Sequence, residues 1–197
     1  YVGVSYKGRI MSKILITGSK KGLGLSLKNK LLEQGHRVYD YDISDNNDVV
    51  KPKLEHIKEL DVLINNAGIN IIDWLDDFTE EQWDKVLDTN TKGIFMMSKA
   101  CLPLLIKSKG TILNIVSNAS HMPMTCSLAY NASKGAGHIM TLQLARELTK
   151  KYGITVFGVS PNKLSNTGMS NSIDEQVVRT RGWTKEYAVE YQLNGLL

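Results

Sequence analysis

The chain has 197 residues, of which 42% are hydrophobic and 22% charged, and its formal net charge is +4. That balance suits one soluble globular domain and excludes a disordered or fibrous chain. The bases are scattered in short runs such as Lys20-Lys21 and Lys150-Lys151, no apolar run reaches the ~18 residues of a membrane span, and two cysteines with four isolated histidines offer neither a disulfide framework nor metal-ligand spacing, so nucleic acid, membrane and metal all drop out as expected partners.

Residues 1–10 read as non-native sequence or an upstream leader ahead of Met11, and residues 11–197 as a single domain of cytoplasmic type, since no secretory pattern opens the chain. Lys13 to Thr17 is an apolar first strand that runs into a glycine-rich turn, and residues 23–34 follow as a helix closed by Gly35. Residues 37–41 make a second strand ending at Asp42. The polar stretch 44–60 is expected to hold a brief strand at Val49-Val50 and a turn or two of helix after Pro52. Residues 62–65 are a buried strand, 79–88 a helix with Thr79 as N-cap, and 91–106 a long helix. A strand over 111–117, a long helix over 130–152, a strand over 154–159 and a helix near 174–181 complete the pattern. Strands alternating with helices predict an α/β fold, a doubly wound parallel sheet of Rossmann type in three α/β/α layers.

Between the first strand and the first helix stand Thr17-Gly18-Ser19-Lys20-Lys21-Gly22-Leu23-Gly24. Glycines there allow positive φ and let the backbone approach a pyrophosphate at the positive end of the helix dipole. Asp42 ends the second strand, where a carboxylate accepts hydrogen bonds from the adenosine ribose and repels a 2′-phosphate. Lys21 opposes it, as a cation able to pair with that phosphate. Asp42 stands closer to the discriminating hydroxyl, so NAD(H) is favoured and NADP(H) is the second option.

Tyr130 and Lys134 are one helical turn apart and share a face. A tyrosine near its ordinary pKa of ~10 is a poor base, and a neighbouring ammonium is expected to lower that value towards the range useful in proton transfer. Ser117, thirteen residues earlier, ends a strand and so faces the crevice where open α/β sheets bind ligands.

In these motifs the chain resembles the short-chain dehydrogenase/reductase family: Thr-Gly-x3-Gly-x-Gly, Asn65-Asn66-Ala67-Gly68, Asn90, Ser117 and Tyr130-x3-Lys134, in family order over roughly residues 13–169. The resemblance implies an NAD(P)-dependent oxidoreductase that moves a hydride to or from a small carbonyl or alcohol substrate. It assigns Tyr130 as acid/base, Ser117 as the holder of the substrate oxygen, and Lys134 as tuner of the tyrosine and binder of the nicotinamide ribose. Asn90 would hold a relay water, Asn66, Ala67 and Gly68 would line the cofactor, Asp61 would be structural, and a homodimer or homotetramer would form through the two long helices. A catalytically silent cofactor-binding sensor or scaffold is the alternative.

The chain departs from the family in three places. Asp42 and Asn65 are unusually close, so the third strand and its helix are abbreviated. Pro161-Asn162 replaces Pro-Gly, with Pro161 and Thr167 expected at the cofactor. Leu197 falls before the family's final helix and strand, so the substrate region reads as incomplete. The apolar stretches Met122-Pro123-Met124 and 69–74 are expected to border the substrate crevice.

Overall fold

A computed structural model describes residues 11–162, 164, 168–184, 186–188 and 190. The expected leader and Thr167 lie outside these residues. Strands β1 (Lys13–Thr17), β2 (Arg37–Tyr41), β3 (Val62–Asn65), β4 (Thr111–Ile115) and β5 (Thr155–Val159) form one parallel sheet in the order β2-β1-β3-β4-β5. The strands are short and apolar because both faces are covered. Ile14, Ile16 and Ile64 turn to one face, where Leu27 and Leu31 of α1 (Gly22–Glu33) pack. Leu15, Leu63, Ile112 and Val156 turn to the other. There they meet Met97, Cys101 and Leu105 of α3 (Gly93–Ser108) and Leu148 of α4 (Leu128–Tyr152). The fold is the expected three-layer α/β/α arrangement.

Strand order reverses between β1 and β3, and the crevice at the carboxyl ends of such strands is where α/β sheets bind ligands. Thr17, Asn65 and the residues after Ile115 all end there.

The segment from β2 to β3 differs from expectation, having neither a strand at Val49-Val50 nor a helix after Pro52. The buried Tyr41 hydroxyl explains this. It donates to the Asp48 carbonyl (3.3 Å) and accepts from Lys53 N (3.0 Å), tying the loop down from both sides. Val49, Ile57 and Leu60 then fill the core directly, where a crossover helix would otherwise pack.

α2 (Glu80–Leu87) starts at the expected Thr79 with a full capping box, Gln82 N donating to Thr79 Oγ1 and Thr79 N to Gln82 Oε1. It then runs through a π turn, Asp88–Lys92, straight into α3, so two expected helices are one continuous rod. α4 begins two residues before Tyr130, and α5 (Gly168–Arg181) begins six residues before the expected Asp174.

A buried polar chain crosses the sheet to α4. Asn65 Nδ2 donates to Asn114 Oδ1 (2.8 Å), Asn114 Nδ2 to Thr141 Oγ1 (2.9 Å), and Thr141 Oγ1 to the Gly137 carbonyl (2.7 Å). Asn114 is fully buried. An unpaired buried group costs about 1–3 kcal/mol, so Asn114→Ala is expected to lower stability by about 2–5 kcal/mol, read as a shifted urea midpoint at unchanged slope.

Candidate active site

The glycine turn is built by close backbone approach. Gly18 and Gly22 have φ of +67° and +51°, a region that side chains disfavour. A Cβ on Gly24 would stand 2.1 Å from the Gly18 carbonyl oxygen, so α1 can rest on the turn only with glycine at 24. From the far side, Asn66 Nδ2 donates to the carbonyls of Thr17 (2.9 Å) and Gly18 (3.1 Å). Thr17 Oγ1 accepts from the N–H groups of Asn66 and Ala67, each at 2.9 Å. Asn66 and Ala67 therefore brace the turn.

No side chain caps the start of α1, which leaves first-turn N–H groups for an anion, and the buried Ser19 Oγ has no partner among the described residues. Leu23 is half-buried beneath the turn, while Lys20 and Lys21 are exposed. These features fit the pyrophosphate of a dinucleotide.

Asp42 stands beside the turn. Its Oδ1 accepts from Ser44 N (3.0 Å) and Ser44 Oγ (2.8 Å), and its Oδ2 from Lys20 N (3.1 Å). Burial favours its neutral form, but these bonds and the charge of Lys21 outweigh burial and hold the carboxyl below its usual pKa. Lys20 is paired with Asp45 at 3.2 Å.

Deeper in the crevice, α4 supplies Tyr130 and Lys134. The Lys134 side chain is buried and its Nζ donates to the Ile115 carbonyl at the end of β4 (3.0 Å), 5.6 Å from the Tyr130 ring centroid. A Cβ on Gly68 would stand 3.5 Å from that Nζ and 3.3 Å from Asn90 Oδ1, so Gly68 is where the three elements meet. Ser117 caps the short turn Asn118–Ser120, its Oγ accepting from Ala119 N (3.1 Å), and is hydrogen-bonded to the Tyr130 phenol. Asn90 lies in the π turn. Its Oδ1 accepts from Ile69 N (2.8 Å), and its Nδ2 donates to the Ile69 carbonyl and to Ser133 Oγ, both at 2.9 Å. The structure thus brings Asn90, Ser117, Tyr130, Lys134 and Gly68 together. Pro161 is near this cluster, its carbonyl accepting from Asn118 N (3.2 Å). Asp61 accepts from Lys13 N (2.7 Å) at the opposite end of the sheet, in keeping with a structural part.

The electrostatics correct one expectation. Burial raises the Tyr130 pKa, and the Ser117 bond opposes the rise without reversing it. The Lys134 ammonium donates to the Ile115 carbonyl, and burial lowers its own pKa from 10.5 to about 8.

Sequence reasoning missed Ser133, which donates to the Tyr130 carbonyl (2.8 Å) and links it to Asn90. The bond to Asn90 joins segments far apart in the chain, so local spacing does not mark it.

Residues 41–178 match the sequence profile of the short chain dehydrogenases. The chain belongs to that family. An uncharacterised oxidoreductase of Staphylococcus epidermidis is 28% identical over 187 residues, covering 81% of this chain and 80% of the relative. Sorbitol-6-phosphate 2-dehydrogenase of Klebsiella pneumoniae is 29% identical, covering 92% and 79%. Among solved structures, sorbitol-6-phosphate 2-dehydrogenase from Erwinia amylovora superposes with a TM-score of 0.83 at 23% identity, over 92% of this chain and 83% of that one. A 3-ketoacyl-(acyl-carrier-protein) reductase from Brucella melitensis, complexed with NADH, gives 0.70 at 24% identity, over 76% and 74%. The short-chain dehydrogenases are NAD(P)-dependent oxidoreductases acting on small molecules, and this chain is an oxidoreductase of that kind. No helix among the described residues is long and apolar enough to cross a membrane.

The buried lysine gives the site a stability signature. Because its folded pKa lies below the unfolded value, the folded state binds fewer protons between pH 8 and 10.5, and stability contributed through this group rises with pH across that window. Below pH 8 the full penalty remains, about 3 kcal/mol by linkage. Lys134→Met is therefore expected to be more stable than the parent at pH 7, with the advantage shrinking as pH rises towards 10.5, checked by urea denaturation of both proteins at several pH values.

Proposed function

We propose that the protein transfers a hydride between a nicotinamide dinucleotide, NAD(H) in preference to NADP(H), and a small carbonyl or alcohol substrate, with Tyr130 as the acid/base. The observation that carries this reading is the convergence of Ser117, Tyr130, Lys134 and Asn90 at the strand ends beside an uncapped glycine turn. The nicotinamide, when bound, donates or accepts the hydride. The protein does the rest. Tyr130, kept as a neutral phenol by burial, gives its proton to the substrate oxygen in reduction and recovers it in oxidation. Ser117 holds that oxygen through its hydroxyl. Lys134, with a pKa of about 8, remains largely protonated at neutral pH and can exchange its proton readily, while its ammonium is placed to bind ribose hydroxyls. Asn90 commits its side chain to Ile69 and Ser133, so a relay water would be held by its main-chain carbonyl oxygen.

Gly18, Ser19, Lys20, Lys21, Gly22, Leu23 and Gly24 would hold the pyrophosphate, and Asn66, Ala67 and Gly68 would flank the cofactor. Asp42 stays ionised and so supports NAD over NADP. A single domain assembling as a dimer or tetramer through α3 and α4 accords with the outward Phe95, Ile139 and Leu142, all half or more exposed, beside an apolar pocket of about 470 Å³.

Tyr130→Phe is expected to lower turnover by about 10²–10⁴-fold while leaving the Kd for NADH unchanged and below that for NADPH, measured by initial rates and fluorescence titration. Full activity in that variant would overturn the assignment, and cofactor binding without turnover of any carbonyl or alcohol would favour a sensor. Light scattering is expected to give at least twice the chain mass, and Ile139→Glu to reduce it to one chain.

A further inference from the structure

The ammonium of Lys20, in the glycine turn, stands among three carboxylates. Its Nζ is 3.2 Å from Asp45 Oδ2, and the two side chains are 38% and 43% exposed, so the pair is open to solvent. The bond to Asp45 is the largest influence on the lysine and, with the charges of Asp45, Asp40 and Asp42, raises its pKa. The other two carboxylates are engaged elsewhere. Asp40 pairs with Lys28 Nζ at 2.6 Å. Asp42 uses Oδ1 for Ser44 and Oδ2 for the Lys20 N–H, which fills three of its roughly four acceptor sites. Among the described residues, Asp45 is therefore the carboxylate that holds the Lys20 ammonium.

The local fold fixes this pairing. Asp42 caps the single 3-10 turn Ile43–Asp45 by accepting from Ser44 N, and its carbonyl accepts from Asp45 N (3.0 Å) and Asn47 N (3.1 Å). Asn46 leaves the turn at φ +59°, a left-handed conformation that asparagine tolerates. Lys20 is thus tied to this corner at two points, by its N–H on Asp42 and by its ammonium on Asp45. Asp42 is the carboxylate assigned to the adenosine ribose, so a 2′-phosphate on that ribose would come to the same corner. A free ammonium there would offset the repulsion from Asp42 by pairing with the phosphate. One already paired with Asp45 must first leave its partner.

We propose that Asp45 is a specificity-determining positioning residue, which withholds the Lys20 ammonium from a 2′-phosphate, so that the preference for NAD(H) depends on this ion pair as well as on Asp42. The proposal rests on the dinucleotide reading of the glycine turn and on Asp42 as the ribose acceptor. It is independent of which alcohol or carbonyl is used and of the acid/base assignment, because only binding is involved.

Fluorescence titration of the full chain with NADH and with NADPH tests it. Asp45→Asn keeps the size of the side chain and removes its charge. In that variant the Kd for NADPH is expected to fall about tenfold while the Kd for NADH stays unchanged. Adding Lys20→Met to Asp45→Asn is expected to return the ratio of the two Kd values to that of the parent, since any loss at the pyrophosphate cancels between the two dinucleotides. An unmoved ratio in Asp45→Asn, a ratio that falls only because NADH binding weakens, or a gain in NADPH binding that survives the loss of Lys20 would each overturn the proposal. The last result would make Asp45 a direct repellent of the phosphate. Absence of saturable NADH binding in the parent would overturn the dinucleotide reading itself, whereas NADH binding with no effect of Asp45→Asn overturns the ion-pair proposal alone.

Discussion

The contact on which the site depends is that of the Lys134 ammonium with the Ile115 carbonyl. It draws a cation out of water into the junction of α4, β4 and the chain at Gly68, and the surroundings reflect that cost. A Cβ at position 68 would stand 3.3 Å from Asn90 Oδ1, so that the amide would have to give way slightly, and in ordinary contact with the ammonium. Asn90 must then hold the exposed backbone of Ile69, and it does so from a π turn that interrupts the helical rod at that point. Functional sites often keep such irregularities because a regular helix would aim the side chain elsewhere.

The same contact sets the electrostatics. Burial weakens the ammonium and raises the phenol, so both groups favour their neutral forms more than they would in water. The tyrosine is thereby suited to donate a proton, and the lysine lies near its own titration. Ser117 is the group that moves the phenol in the opposite direction, and its own orientation is fixed by the Ala119 N–H. Proton transfer and substrate holding thus share one short hydrogen-bonded arc at the end of β4.

The glycine turn divides its work differently from what glycine spacing alone suggests. Gly18 and Gly22 supply the unusual φ values, but Gly24 is required by packing, because helix and turn touch there. Asn66 and Thr17 tie the turn to the end of β3, so the cofactor side and the catalytic side hang from neighbouring strands. The polar chain from Asn65 through Asn114 to Thr141 fastens the same strands to α4. Relative placement of the two half-sites is therefore a property of the sheet.

Much of this was legible in the residues themselves. The alternation of strands and helices, the glycine turn, Asp42 at a strand end and Tyr130 one turn from Lys134 are local or periodic features, which a linear chain displays directly. The segment 44–60 was misread because its fate depends on the Tyr41 hydroxyl reaching Asp48 and Lys53 from across a turn. The direction of the Tyr130 pKa depends on burial and on where the ammonium points, and the unpaired state of Asn70 and Ser127 depends on which distant groups fail to reach them. The sequence by itself determined the fold class and the family, because covalent spacing sets those. Tertiary structure alone decided which groups are dehydrated, which are paired and which are left without a partner, because those depend on contacts between residues far apart in the chain.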